Sequence, residues 1–130
     1  MPSVQEAAWW ELVPENYRER PEYAFVADDP GLPRVLLIGD SISMGYTLPV
    51  RDRLAGRANV HRAPDNCRST RQTLRDLDTY LGAGRWDLIH CNWGIHDVTQ
   101  MDEQGRAVAV GQGKPQVPME EYARNLRALF

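Results

Sequence analysis

Residues able to do chemistry gather in three short stretches. Arg34–Tyr46, "RVLLIGDSISMGY", drives four apolar residues into Gly39-Asp40-Ser41. Pro64–Thr70 reads "PDNCRST" and Asn92–Asp97 reads "NWGIHD". A serine hydroxyl attacks a carbonyl when a base takes its proton and N–H donors hold the oxyanion that forms. Ser41 is the candidate nucleophile, and its own backbone N–H is one candidate donor. The plainer alternative is that Asp40 and Ser41 only shape a turn or cap a helix. Nothing near Cys67 in sequence marks a thiolate site. His90, Cys91, His96 and Asp97 are metal-ligand types, but strand alternation turns His90 and Cys91 to opposite faces, so no shared ion is expected.

The elements around these stretches must hold them. Val35–Ile38 is a continuous apolar run, which predicts a central strand covered on both faces. Leu48–Ala55 predicts a short helix with Pro49 in its first turn. Ala58–Ala63 predicts a second strand. Ser69 or Thr70 caps a helix in which Leu74, Leu77 and Leu81 share a face, ending at Gly82 and Gly84. Trp86–Trp93 predicts a third strand. Residues 102–117, with glycines and "AVAV", fit a loop or small hairpin. Pro118 opens a last helix carrying Met119, Tyr122, Leu126 and Leu129. Residues 1–33 form an N-terminal arm whose Trp9, Trp10, Tyr17, Tyr23 and Phe25 pack onto the domain, and "DDPGLP" (Asp28–Pro33) punctuates before the first strand. Alternating strands and helices over residues 34–130 imply an α/β layer with a parallel sheet and right-handed crossovers. The final helix ought to feed another strand, so the domain is expected to be incomplete at its C-terminus. In open α/β sheets ligands sit beyond the carboxyl ends of the strands. All three polar stretches follow strand ends and are expected around one crevice.

Residues 34–130 resemble the SGNH (GDSL-type) hydrolase superfamily, serine esterases and acyl hydrolases on a flavodoxin-like three-layer sandwich. "GDSIS" is similar to its first block, which implies Ser41 as nucleophile. "NWGIHD" is similar to its third block, Gly-x-Asn-Asp, with Gly94 and Asp97 in register. The second-block glycine falls at Cys67, within about one residue either way. The resemblance thus implies an oxyanion hole of Ser41, Cys67 and His96, supported by Asp40, Gly94 and Asp97. Three departures stand out. Cys67 replaces the second-block glycine, and if the role is a backbone N–H, what matters is whether Cys67 can take the required φ/ψ. His96 replaces the third-block asparagine; an imidazole can still donate one N–H, or it can be a structural hydrogen-bonder. The family's late Asp-x-x-His, which supplies the base, is missing unless His96 serves as base. "DLIH" (Asp87–His90) is a decoy, because residues three apart on a strand face opposite ways and Asp87 lies about 20 Å before Asp97 on an extended chain. The family's domain takes about 200 residues, so roughly 60 or more are expected to be missing and the chain to be nearly inactive alone.

The resemblance implies a small-molecule or carbohydrate ester as substrate, with acetyl or short acyl groups, and no cofactor or metal. Seven arginines lie between Arg51 and Arg75, with Arg62 and Arg68 flanking the second loop. They meet either a carboxylated substrate or, beside so many aspartates, only solvent. Trp93 is either a sugar-stacking wall or packed core. The competing function class is a non-catalytic flavodoxin-like module for a small polar ligand, although Gly-x-Gly-x-x-Gly and the Walker lysine are absent.

Composition excludes other classes. At 130 residues, 42% hydrophobic and 25% charged, the chain is globular rather than disordered. A net charge of −3 gives no pull toward nucleic acid or an anionic membrane. No apolar run approaches the ~20 residues that span a bilayer, and residues 1–20 lack a signal-peptide pattern, which leaves the cytoplasm as the default expectation. Cys67 and Cys91 are not expected to pair, because a flavodoxin-like order puts strand one between their strands, about 10 Å across. An uncovered sheet edge is expected to favour self-association.

Overall fold

The computed structural model describes every residue, Met1–Phe130. It is a mixed α/β chain that divides into two compact units, residues 1–66 with 78–92 and residues 67–77 with 93–130.

The first unit holds a three-stranded parallel sheet in the order β2-β1-β3, with β1 at Arg34–Gly39, β2 at Asn59–Arg62 and β3 at Leu88–Asn92. The apolar run of β1 has the burial it calls for: Leu36, Leu37 and Ile38 are each no more than 2% exposed. The sheet register sets Leu36 beside His61 and Ile89, and Gly39 beside Asn92. The edge strand β3 is different. Leu88 and Ile89 are 54% and 43% exposed, although their sequence is as apolar as that of β1.

In the arm, Ser3 caps α1 (Val4–Leu12) by accepting from the Glu6 amide. Two short 3-10 turns follow, and Val13 and Tyr23 are buried with Met44, packed by Trp9, Trp10 and Tyr17. The Trp9 indole donates to the Tyr23 carbonyl at 2.8 Å, so the half-buried ring packs without orphaning its N–H.

Two expectations need correction here. The helix after β1 is α2, Ser41–Arg53, and it starts at the serine itself rather than at Leu48. Asp40 supplies the cap, and Pro49 therefore sits inside the helix, where it removes the bond its amide would give the Gly45 carbonyl. Arg62 does not lie on a solvated face: it is 1% exposed, with its guanidinium 4.5 Å from the Tyr23 ring centre. Its N–H groups donate to Thr47 Oγ1 and to the carbonyls of Ala63 and Asp65. Nearby Arg51 donates to the carbonyls of Val60 and Glu22, and burial, with Arg62 beside it, pushes its pKa down to about 10 against the pull of Glu22.

The second unit begins with the first turns of α3 (Thr70–Leu81), whose residues 78–81 belong to the first unit. Ser69 caps this helix by accepting from the Gln72 amide. A single-turn helix α4 (Ile95–Val98) leads into a short antiparallel hairpin, β4 (Gln100–Met101) with β5 (Lys114–Pro115), and then α5 (Met119–Leu129). Arg71 of α3 grips Glu121 of α5 through two bonds of 2.6 and 2.7 Å. No helix is long and apolar enough to cross a membrane. Both cysteines are free thiols, and burial pushes the Cys91 thiol up.

Candidate active site

The turn after β1 starts with a close approach. A Cβ on Gly39 would overlap Asn92 Oδ1 and come within 2.8 Å of Ser43 Cβ, so only glycine fits between β3 and α2. Asp40 is fully buried, and its Oδ1 accepts from the Ile42 amide at 2.9 Å and from Asn92 Nδ2 at 3.0 Å. Asn92 Oδ1 accepts in turn from the Tyr46 hydroxyl at 3.2 Å. This chain of bonds fixes the turn against the end of β3. The buried carboxylate is a structural anchor.

That anchoring separates the two serines of "GDSIS". Ser43 is buried and donates to the Asp40 carbonyl at 2.6 Å. Ser41 is exposed at the first position of a 13-residue helix. The first-turn N–H groups of a helix have no partner within it, and their dipoles carry about half a positive charge, which favours an alkoxide or oxyanion at that end. The arrangement can therefore stabilise negative charge at Ser41 Oγ or at a carbonyl oxygen held over the Ser41 amide.

No imidazole of the first unit reaches that hydroxyl. His61 bonds Asp28 at 2.6 Å, but it lies beside Leu36, five residues and about 16 Å before Ser41. His90 lies beside Leu37, about 13 Å before it, with its ring edge-on to Tyr46. Asp87 accepts from the Arg34 amide at 2.8 Å, at the amino end of the sheet.

The other residues singled out in sequence lie in the second unit. Cys67 is buried, and its carbonyl accepts from Thr73 Oγ1. The left-handed residue of that loop is the next one, Arg68, with φ 49°. Gly94 has φ 140° and ψ −50°, a conformation that side chains strain, and it caps α4. His96 is half-buried on α4. Asp97 is buried and accepts three contacts from Thr70: the amide at 3.0 Å to Oδ1 and 3.2 Å to Oδ2, and the hydroxyl at 2.5 Å to Oδ1. It thereby satisfies the start of α3 from 27 residues away. Trp93 donates to Thr73 Oγ1 at 2.8 Å and meets Phe130 edge-on.

Asn92 and the Asp28–His61 contact escaped the reading of the sequence. Asn92 carried a signal, as a lone amide at the end of an apolar strand. His61 and Asp28 carried none, standing 33 residues apart in a strand and a turn. No family model, no curated protein and no solved structure matches the chain.

Proposed function

We propose that this chain carries the nucleophile of an SGNH-type serine hydrolase with a flavodoxin-like sheet, cleaving carboxylic esters through an acyl-enzyme at Ser41. One observation carries the reading: Ser41 is exposed at the head of α2 while Asp40, the residue before it, is buried and doubly bonded beneath. Ser41 Oγ attacks the ester carbonyl, its proton passes to a base, and the C–O bond breaks with release of the alcohol. Water then repeats the attack and frees the acid. The Ser41 amide and the head of α2 supply one cradle for the oxyanion.

By resemblance to the family, further N–H donors and a base complete the machinery. Ile42 beside the nucleophile is 57% exposed and offers apolar contact to a short acyl chain. Short acyl esters of carbohydrates are the proposed substrate class, on analogy with the family.

The test is covalent labelling of the natural full-length protein by a fluorophosphonate, with peptide mapping and the Ser41→Ala variant alongside. The adduct is expected on Ser41 and absent from the variant. Equal labelling of both proteins overturns the nucleophile and favours the non-catalytic binding module.

A further inference from the structure

The first unit contains a cavity of about 390 Å³ on the side of the sheet that carries Arg34, Leu36 and His61, roofed by the arm and by the last turn of α3. This volume lies in the range of small-molecule sites, roughly 300–1,000 Å³. The cavity belongs to different chemistry from Ser41, which lies about 16 Å farther along the strand direction from Leu36. Trp9, Phe25 and Trp86 give it flat apolar walls.

Its polar end is a connected trio. Asp28 Oδ1 meets His61 Nε2 at 2.6 Å, and Asp28 Oδ2 is ion-paired with Arg34 Nε at 3.0 Å. Arg34 Nη1 donates to the Arg85 carbonyl, and the guanidinium lies 4.0 Å from the Trp86 ring centre. His61 meets the same indole edge-on at 5.3 Å.

The bonds already made dictate what remains. A carboxylate only accepts, so the His61 proton sits on Nε2 and Nδ1 is left as an acceptor. Arg34 gives one Nη1 N–H to Arg85 and its Nε faces Asp28 as an ion pair only, so both N–H bonds of Nη2 are among the donors it keeps. The charges of Asp28 and Arg34 offset each other, so the trio offers a donor and an acceptor without inviting an ion.

We propose that this cavity binds a neutral planar ring bearing an adjacent acceptor and donor, the C=O and N–H edge of a cyclic lactam or oxo-heterocycle. The ring slides between the aromatic walls, its carbonyl accepts from Arg34 Nη2, and its N–H donates to His61 Nδ1. An anionic ring of the same size meets the Asp28 carboxylate and has no donor for His61. A purely apolar ring leaves both polar groups without partners.

The probes are isoquinolin-1(2H)-one, its N-methyl derivative and 1-naphthoate, titrated into the full chain while the indole N–H signals of Trp9 and Trp86 are followed by NMR. The unsubstituted lactam is expected to shift both signals saturably below about 1 mM. The N-methyl lactam and the naphthoate are expected to bind at least about tenfold more weakly, the loss set by one hydrogen bond. His61→Gln retains a donor at the Nε2 position toward Asp28 but lacks the Nδ1 acceptor, and it too should lose about tenfold. Should that variant fail to fold, the comparison of the two lactams on the unaltered protein decides alone. Equal binding of the N-methyl lactam, tighter binding of the naphthoate, or no shift at either indole overturns the proposal.

Discussion

After β1 the chain turns at Gly39 and enters a 13-residue helix with Asp40 buried at its cap; after β3 it turns at Gly94 into a single-turn helix with Asp97 buried within it. Both turns follow parallel strands, and both sink a carboxylate. The carboxylates act at different range. Asp40 serves its own helix through the Ile42 amide and reaches β3 through one side chain, Asn92. Asp97 serves a helix it does not belong to, satisfying the Thr70 amide and hydroxyl at the head of α3. The glycines differ as well. Gly39 is needed for space, whereas Gly94 is needed for its backbone angles, with nothing near a Cβ placed there. One short motif, a glycine close to an aspartate after a strand, thus covers two unlike physical constraints.

The glycines give the largest test of that difference. Gly39→Ala forces a methyl group into Asn92 Oδ1 and Ser43 Cβ, both held by hydrogen bonds, and is expected to cost about 3 kcal/mol. Gly94→Ala meets no atom, and its expected cost is only the backbone strain, about 1–2 kcal/mol. Urea unfolding of the two variants measures both. A Gly39→Ala protein as stable as Gly94→Ala would remove the claim that the first turn is set by close approach.

The aspartates come next. Thr70 approaches both oxygens of Asp97, so the amide of Asp97→Asn must set a donor against a donor, at an expected cost of about 2 kcal/mol. Asp40 Oδ2 has no hydrogen-bond partner, so Asp40→Asn can direct its NH2 there and keep the Oδ1 contacts. The expected cost is about 1 kcal/mol, from the weaker, uncharged acceptor. Reversal of that order would mean the two carboxylates have been assigned the wrong kind of work.

What the sequence disclosed follows the range of the interactions. The run Val35–Ile38 is legible as a strand because its burial on both faces is written in consecutive residues. The hairpin near residues 102–117 and the helix after Pro118 are legible from glycines, proline and spacing. The start of α2 was missed because "SISMG" has weak helix formers; the decision rests with the Asp40 cap. Ser41, Asp40, Gly94 and Asp97 were singled out by motif, yet the motif does not say that Asp97 would hold Thr70. The burial of Arg62 was hidden, since an arginine in a short strand reads as surface until Tyr23, Ser43 and Thr47 come together around it.

The smallest expected effect distinguishes the two units by titration. The perturbed histidine, His61, belongs to the first unit, and burial lowers its pKa, partly opposed by the hydrogen bond to Asp28 and by that residue's charge. Arg34 and Arg51 face it as well and push in the same direction as burial. In the second unit Asp102 and Glu121 are held low chiefly by hydrogen bonds to Arg106 and Arg71. A histidine whose folded pKa lies below its unfolded value of 6.5 binds protons more readily when unfolded. Its stabilisation is complete well above about pH 6.5 and drains away as the pH falls through that value toward the folded one. Carboxylates held low keep their contribution until the pH drops below their ordinary range, near 4. As the pH falls through about 6.5, therefore, acid should weaken the first unit through His61 while the carboxylate contributions of the second stay in place. Hydrogen exchange at several pH values reads the units separately: amides of β1 and β2 should lose protection in this window, while those of α5 should not. His61→Gln, with no proton to gain, should flatten the slope in the first unit. An unchanged slope in that variant would move the pH sensitivity to another group and leave His61 as a neutral strand residue.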